Sequence, residues 1–255
     1  MPNISNYIPE ERIFALFTGR SGDGKSVAGA SFPRELEIID FDFRINGVAA
    51  AVQQGIISGE GLSYTQFRPR EGWKKVDQYL MGLEAARVSN RFPYKTVQVD
   101  SLSALTRLVC LASHEDQSGK KIGTLRVSGP GDFNFEASGT HQFFDFLRIF
   151  PSHVIATAHV IDKYGKLDKS KEYSETGVIG EKLSIRDNLG ETVLTYFTDI
   201  YRFSRKVEDG KLKFYVEFAT DLARNSFGLA PGKHDITGKN FFNYLQEKIK
   251  EAKKA

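Results

Sequence analysis

The chain has 255 residues, of which 40% are hydrophobic and 26% charged, a balance typical of a globular α/β protein with a substantial core. Its single cysteine, Cys110, excludes an internal disulfide framework and a zinc site built from cysteines. The net charge of +3 is too small to indicate nucleic acid by itself, and the sequence pattern contains neither a membrane-spanning apolar run nor a secretory leader. We therefore expect one cytoplasmic domain over residues 1–255.

The first predicted element is a short apolar strand at residues 12–17, which leads into the segment Gly19–Ser26. This segment matches the phosphate-binding pattern G-x-x-x-x-G-K-S/T (Walker A) in full. Its glycines let successive N–H groups point at phosphate oxygens, and a helix predicted to begin near Val27 adds its positive end. We expect Lys25 to contact the β- and γ-phosphates and Ser26 to bind Mg²⁺. The residues predicted to bind ATP are Gly19, Arg20, Ser21, Gly22, Asp23, Gly24, Lys25, Ser26 and Val27.

The next predicted strand, at residues 35–40, ends in acidic residues. Asp40 and Asp42 are two positions apart, so they would share one face of an extended segment. One of them is suited to orient and deprotonate an attacking water. We assign this role to Asp42, with Asp40 as the second candidate and a solvated strand end as the alternative interpretation.

Further strands are predicted at residues 62–67 and 95–100, and helices at residues 72–89 and 101–112. The second of these strands ends in Asp100, where a P-loop enzyme needs a carboxylate to complete the Mg²⁺ site. We therefore predict that Ser26 and Asp100 hold the metal. The alternative is that Asp100 only caps the following helix.

A helix is predicted at residues 142–150 and a strand at residues 153–158, directly before His159. Because the carboxyl ends of parallel strands converge on the ligand, we predict that His159 contacts the γ-phosphate and reports its presence to the segment that follows. A structural histidine is the alternative. Residues 113–136 and 160–190 are interpreted as long loops, which are usually functional or disordered.

Beyond residue 190, apolar and polar residues alternate on both sides of a turn at Gly210. This period of two predicts an antiparallel hairpin of residues 196–206 with residues 211–219, and an amphipathic helix follows at residues 240–253. Strands separated by helices in the first part predict a mainly parallel central sheet flanked by helices. The predicted fold class is therefore α/β with a C-terminal antiparallel hairpin.

The order of these motifs resembles the core of RecA-like P-loop ATPases over residues 10–230. The P-loop and the segment VDSLSAL, at residues 99–105, are its most specific parts. More narrowly, the chain is similar to phage-encoded nucleotide-binding proteins related to the RadA core. This resemblance implies a RecA-like fold, DNA-stimulated ATP hydrolysis, and a role in bacteriophage recombination, single-strand annealing or replication in the host cytoplasm.

The resemblance also implies two DNA-binding loops, which fall on residues 113–136 and 160–190, and hence single-stranded DNA as a partner. Acidic and basic residues nearly balance in both segments, which weakens the electrostatic case for DNA. Lysines with interleaved aromatics favour base stacking, and a solvated loop is the equal alternative. These residues are Lys163, Lys166, Lys169 and Lys171 with Tyr164 and Tyr173.

Proteins of this kind form head-to-tail homo-oligomers, either rings or filaments, in which a basic residue after the final hairpin reaches the neighbour's nucleotide. Arg224 is the basic residue of residues 218–225 and takes this role by resemblance, with a solvated or locally paired arginine as the alternative. Two other functions stay open. One is a P-loop motor or loader acting on a protein partner, such as a helicase or another replication or single-strand-binding protein. The other is a nucleotide-gated binding module with little turnover.

Overall fold

The computed structural model describes residues 12–68, 72–116, 121–122, 125–126, 128–166, 176–220 and 223–254. The strands are β1 (Phe14–Gly19), β2 (Leu36–Asp40), β3 (Leu62–Gln66), β4 (Thr96–Asp100), β5 (Lys121–Ile122), β6 (Leu125–Arg126), β7 (His153–Lys166), β8 (Thr176–Leu183), β9 (Asp199–Glu208), β10 (Lys211–Glu217) and β11 (Lys233–Asp235). The helices are α1 (Lys25–Gly29), α2 (Asn46–Gln53), α3 (Gly72–Val88), α4 (Leu102–Asp116), α5 (Pro130–Arg148), α6 (Asp187–Leu194) and α7 (Phe241–Ala252).

One large sheet has the strand order β11-β10-β9-β1-β7-β4-β2-β3. The pairs from β9 to β3 are parallel, whereas β10 is antiparallel to both β9 and β11. The predicted fold class, with a mainly parallel sheet and a C-terminal antiparallel hairpin, is therefore confirmed. Because β7 lies between β1 and β4, the P-loop strand and the Asp100 strand both border the strand that carries His159.

Helices cover both faces of this sheet, and each face has its own hydrophobic core. Alternation along β1 sends Leu16 into one core and Phe17 into the other. The first core is closed by α3, α4, α5 and α6, and the second by α1, α2 and α7. Because both faces of the central strands are covered, every residue of β1, β2 and β4 is buried, including the polar side chains of β2 and β4.

The two stretches interpreted as long loops contain regular structure, so that interpretation was wrong in part. In the first, α4 continues to Asp116 and α5 begins at Pro130, where the Asp132 carboxylate accepts a hydrogen bond from the backbone N–H of Gly129 (2.8 Å). In the second, β7 extends to Lys166 and pairs antiparallel with β8, and α6 follows.

The strands β7 and β8 form a two-stranded ribbon, residues 160–166 with 176–183, beyond the edge of the parallel sheet. It escaped prediction because Ile161, Val178 and Ile179 are exposed, so its pattern lacks the buried face that reveals a strand. Of the predicted DNA-contacting residues, Lys169, Lys171 and Tyr173 lie outside the described residues.

Most other predicted elements are found with nearly the same bounds, and the additions are short. They include the hairpin β9–β10 and the helix α7, whose N-cap Asn240 accepts a hydrogen bond from Asn243 N–H. The helix α2, the short strands β5 and β6 and the edge strand β11 were not predicted, and the helix predicted at residues 142–150 is α5, which begins twelve residues earlier. Among the helices of the described ranges, none combines the length and the apolar character that crossing a membrane requires.

Candidate active site

The P-loop connects the end of β1, at Gly19, to the start of α1, at Lys25. Gly22 and Gly24 both have left-handed backbone conformations, with φ of 84° and 85°, which side-chain-bearing residues rarely adopt. A Cβ at Gly24 would also lie 3.2 Å from the ring of Phe214 on β10. Gly24, one of the two glycines that define the motif, is thus required by the backbone and by the approach of the hairpin, and a Cβ at Gly19, the other, would lie 2.7 Å from the carbonyl oxygen of Phe203.

Lys25 is the cation at the centre of this loop and is buried. Its Nζ donates hydrogen bonds to the carbonyl oxygens of Gly19 (2.9 Å) and Arg20 (2.8 Å). Burial lowers the pKa of Lys25 from its ordinary value of 10.5 to about 8, although the nearby carboxylates of Asp23 and Asp100 oppose this. An anion bound beside Lys25 would therefore stabilise its charged form.

Asp100 ends β4 and is also buried. Its carboxylate accepts a hydrogen bond from the Thr157 hydroxyl on β7 (2.5 Å). Burial raises the pKa of Asp100, and hydrogen bonds from the Ser26 and Thr157 hydroxyls oppose the increase. The structure therefore brings together Ser26 and Asp100, the two residues predicted to hold Mg²⁺.

Asp42 lies in the turn after β2 and contacts Ser101, which follows β4, and His159 on β7. Its Oδ2 accepts a hydrogen bond from the Ser101 hydroxyl (2.9 Å) and lies 3.1 Å from His159 Nε2. The hydrogen bond from His159, and then that from Ser101, holds the pKa of Asp42 below its ordinary value despite partial burial. Asp42 thus presents an ionised carboxylate whose orientation is set by two partners.

Asp40 has a different role from the one considered for it. Its Oδ1 accepts hydrogen bonds from the backbone N–H groups of Asp42 (3.0 Å) and Phe43 (2.8 Å), and its Oδ2 from the Gln66 side chain (2.8 Å). The chain turns directly after Asp40, so the two acids do not share an extended face. Asp40 holds the turn that presents Asp42.

These groups meet in a cavity of about 250 Å³ at the carboxyl ends of β1, β2 and β4, beside His159 on β7. Its lining consists of the P-loop residues Ser21, Gly22, Asp23, Gly24, Lys25, Ser26 and Val27 together with Asp42, Arg44, Gly47, Asp100, His159 and Phe214. We call this the phosphate cavity. The predicted residues Lys25, Ser26, Asp42, Asp100 and His159 therefore converge on one place.

A second cavity, of about 280 Å³, adjoins the phosphate cavity on the far side of Gly24 and Phe214. Its walls are mainly apolar and come from α1, α2, β10 and the start of α7. They include Ala50, Ile57 and Ile236. We call this the apolar cavity.

Ion pairs connect the P-loop to the β7–β8 ribbon. Asp23 Oδ2 accepts a hydrogen bond from the Arg20 backbone N–H (2.6 Å) and lies 3.6 Å from Arg202 Nη1 on β9. Arg202 in turn forms a two-pronged hydrogen bond with Glu181 (2.6 Å for each N–O pair), which lowers the Glu181 pKa. Arg20 pairs with Asp162 directly across the ribbon from Glu181.

Two predicted residues occupy positions that the sequence did not specify. His159 is not at the end of a strand, because β7 continues past it; it lies where β7 leaves its partner β1 and begins to pair with β8. Arg224 lies beside Ile200 at the amino end of β9, and its Nη2 donates to the carbonyl oxygens of Leu194 (2.5 Å) and Phe197 (2.7 Å). Arg224 is thus apart from the phosphate cavity of its own chain.

Sequence reasoning did not identify Arg44, Phe214, Thr157 or Ser101 as parts of the site. Thr157 and His159 are two apart on a strand and share a face, so that pairing was detectable from the pattern. The contacts of Arg44 and Phe214 carry no comparable signal, because both residues reach the P-loop from segments distant along the chain.

No protein-family model and no curated protein matches this sequence. Among solved structures, the chain is similar to a KaiC-like protein from the hyperthermophilic archaeon Pyrococcus horikoshii, with 13% identity, a TM-score of 0.45, and coverage of 88% of this chain and 84% of that one. It is also similar to the flagellar accessory protein FlaH from Methanocaldococcus jannaschii, with 13% identity, a TM-score of 0.39, and coverage of 80% and 76%.

Proposed function

We propose that this chain is an Mg²⁺-dependent ATPase with a RecA-like core that acts on single-stranded DNA in phage-type recombination, annealing or replication. The observation that carries the hydrolytic part is the meeting of a P-loop with two carboxylates and a histidine in one cavity. These are the side chains of Lys25, Ser26, Asp42, Asp100 and His159.

Binding of a triphosphate begins with the P-loop. Lys25 Nζ already lies among backbone carbonyls, so a bound phosphate would replace these neutral partners with charged ones and raise the lowered pKa of the amine back towards its ordinary value. The apolar cavity next to Phe214 is suited to the nucleoside. Ala50→Phe, which fills this cavity, should weaken ATP binding and leave binding of inorganic triphosphate unchanged, with Ala49→Phe on the exposed side of α2 as the control.

The residues around Asp100 fit Mg²⁺. The ion prefers hard oxygen ligands, and the Ser26 hydroxyl and the Asp100 carboxylate supply them next to the phosphate cavity. Burial disfavours the ionised form of Asp100, and a bound dication would compensate for that cost. When bound, Mg²⁺ neutralises charge on the phosphate oxygens.

Hydrolysis needs a group that orients water, and Asp42 is our assignment. His159 and Ser101 keep its carboxylate ionised and fixed in orientation. A carboxylate so placed holds a water by hydrogen bonding and accepts its proton as the oxygen attacks. Against a direct role for Asp40 stand its two hydrogen bonds within the turn, its hydrogen bond from the Gln66 side chain, and its absence from the cavity lining.

His159 and the ion pairs offer a route from the nucleotide to the ribbon. His159 contacts Asp42 at the base of the ribbon. Arg20 and Arg202 join the P-loop to the ribbon carboxylates Asp162 and Glu181. On the ribbon, Lys163 and Tyr164 are exposed, a combination that suits a phosphate and a stacked base. These features support the proposal that the ribbon contacts DNA.

The decisive experiment measures phosphate release with Mg²⁺, with and without single-stranded DNA. The wild type should hydrolyse ATP and respond to DNA, and Lys25→Ala should abolish hydrolysis. Replacing Lys163 and Tyr164 together by alanine should remove the DNA response and keep the basal rate, and DNA affinity should fall as salt rises. Tight binding of ATP without turnover would instead favour a nucleotide-gated module.

A motor or loader acting on a protein partner is the second candidate. Exposed Ile161, Val178 and Ile179 on the ribbon favour it, because apolar side chains are typical of protein–protein contacts and do not bind phosphates. Stimulation of the ATPase by a helicase or a single-strand-binding protein, without any response to DNA alone, would support this candidate.

We further propose a head-to-tail homo-oligomer in which Arg224 reaches the nucleotide of a neighbour. Mixing Arg224→Ala subunits with Lys25→Ala subunits should then restore part of the activity, because some interfaces combine an intact P-loop with an intact arginine. If the mixture stays inactive, or the wild type hydrolyses ATP as a monomer, the role of Arg224 is limited to its hydrogen bonds with the carbonyl oxygens of Leu194 and Phe197.

A further inference from the structure

Arg44 lies just after β2, beyond a turn whose backbone directs the arginine side chain towards the P-loop. Asp40 accepts the N–H groups of Asp42 and Phe43, and Phe43 has a φ of 57°, in the left-handed region that a phenylalanine rarely adopts. This reversal brings Arg44 over the P-loop, where its Nη1 donates a hydrogen bond to the Ser21 hydroxyl (3.1 Å). A strained turn with two side-chain hydrogen bonds thus presents one guanidinium to the phosphate cavity.

Carboxylates outnumber cations among the described residues that line the phosphate cavity, so the guanidinium of Arg44 is one of few groups there that can bind an anion. Within the described part of the chain, the cations in the lining are Lys25 and Arg44, and the carboxylates are Asp23, Asp42 and Asp100. Lys25 is buried at the base, whereas Arg44 is exposed at the opening. A guanidinium has five N–H donors. Among the described residues, Arg44 donates one hydrogen bond, to Ser21, so most of its donors are available to a phosphate.

We infer that Arg44 binds the terminal phosphate of the nucleoside triphosphate from within the same chain. The inference rests on the proposed function. A planar guanidinium donates to two phosphate oxygens at once, and its charge stabilises negative charge that develops as the phosphoryl group is transferred. Arg44 is then a catalytic residue supplied in cis, on the same turn as the water-orienting Asp42. Arg224, by contrast, could act only from a neighbouring subunit.

The first test compares Arg44→Ala and Arg44→Lys with the control Arg107→Ala. Arg107 is an exposed residue of α4 that lines neither cavity. We expect Arg44→Ala to weaken binding of a non-hydrolysable ATP analogue about 10-fold and to lower turnover about 100-fold or more. Affinity for ADP should change less than about 2-fold, because ADP lacks the contacted group. Arg44→Lys should bind the ATP analogue more tightly than Arg44→Ala and less tightly than the wild type, since it keeps the charge and loses the two parallel N–H donors of the guanidinium.

The second test asks whether the arginine acts in cis. Arg44→Ala subunits are mixed with Lys25→Ala subunits, and activity should stay at the sum of the separate proteins because no chain carries both groups. Recovery of activity would mean that Arg44 acts across an interface and would overturn the inference. Melting temperatures of all variants, measured without nucleotide, establish that each is folded.

The outcomes separate this inference from the proposed function. A wild type that neither binds nor hydrolyses Mg²⁺-ATP overturns the proposed function and the inference with it. An active wild type with an Arg44→Ala variant of equal rate and affinity overturns the inference alone. Equal losses of ATP-analogue and ADP affinity in Arg44→Ala also overturn it, because they indicate a general effect on the P-loop.

Discussion

Replacing Lys25 by methionine should make the nucleotide-free protein more stable while it abolishes ATP binding. Methionine keeps the length of the side chain and removes its charge. The pKa of Lys25 falls from 10.5 to about 8 on folding, and each pH unit corresponds to about 1.4 kcal/mol, so the buried charge costs about 3 kcal/mol at pH 7. The carbonyl groups of Gly19 and Arg20 lose their donor, at a cost of about 1 kcal/mol. We expect a net gain of about 2 kcal/mol in the free energy of unfolding.

The pH dependence of this gain has a definite sign. Between about pH 8 and pH 10.5 the unfolded chain carries the Lys25 proton and the folded chain does not, so wild-type stability rises with pH. By pH 9.5 the wild type recovers about 2 kcal/mol, and the advantage of Lys25→Met should disappear. Other groups titrate equally in both proteins and cancel from the difference.

Urea unfolding at pH 7 and pH 9.5, without nucleotide, measures both quantities. Lys250→Met, on the exposed face of α7, is the control and should change stability by less than about 0.5 kcal/mol. A Lys25→Met protein that is less stable than the wild type at pH 7 would refute the reasoning. So would a gain that does not shrink at the higher pH.

Three further substitutions test the other parts of the site. Asp42→Asn should lower turnover about 100-fold with ATP affinity nearly unchanged. Asp40→Asn should instead lower the free energy of unfolding by about 1–2 kcal/mol, because it weakens the hydrogen bonds of the turn after β2. A loss of turnover in Asp40→Asn but not in Asp42→Asn would exchange the two roles. Asp100→Asn should raise the Mg²⁺ concentration needed for half-maximal activity without lowering stability, while a role restricted to helix capping predicts a loss of about 1 kcal/mol and an unchanged Mg²⁺ requirement. Glu181→Gln should weaken the response of the ATPase to DNA and keep the basal rate, because it loosens the link from Arg202 to the ribbon; an unchanged response would remove that link from the proposal.

The sequence alone determined the features that depend on local backbone chemistry and on burial. The motif was recognisable because Gly24 needs a left-handed conformation and Gly19 lies too close to the backbone of β9 for a side chain. The apolar run of β1 follows from the cover on both of its faces, and the apolar positions Phe214 and Val216 of β10 face the second core. Asp100 was identified because it ends a predicted strand that follows the P-loop in the chain.

Other parts were decided by the tertiary structure, because they depend on contacts between segments far apart in the chain. Asp42 and His159 meet only because β7 is inserted between β1 and β4, which no local pattern encodes. Asp40 and Asp42 look alike in sequence, and the turn between them gives one a structural role and the other a place in the cavity. The ribbon was not predicted because, beyond the pair Val160 and Leu183, its apolar side chains are exposed and face no core. Arg44 was not predicted because its partner Ser21 is distant along the chain. Local propensity and periodicity determine which elements form, whereas strand order and packing determine which side chains meet.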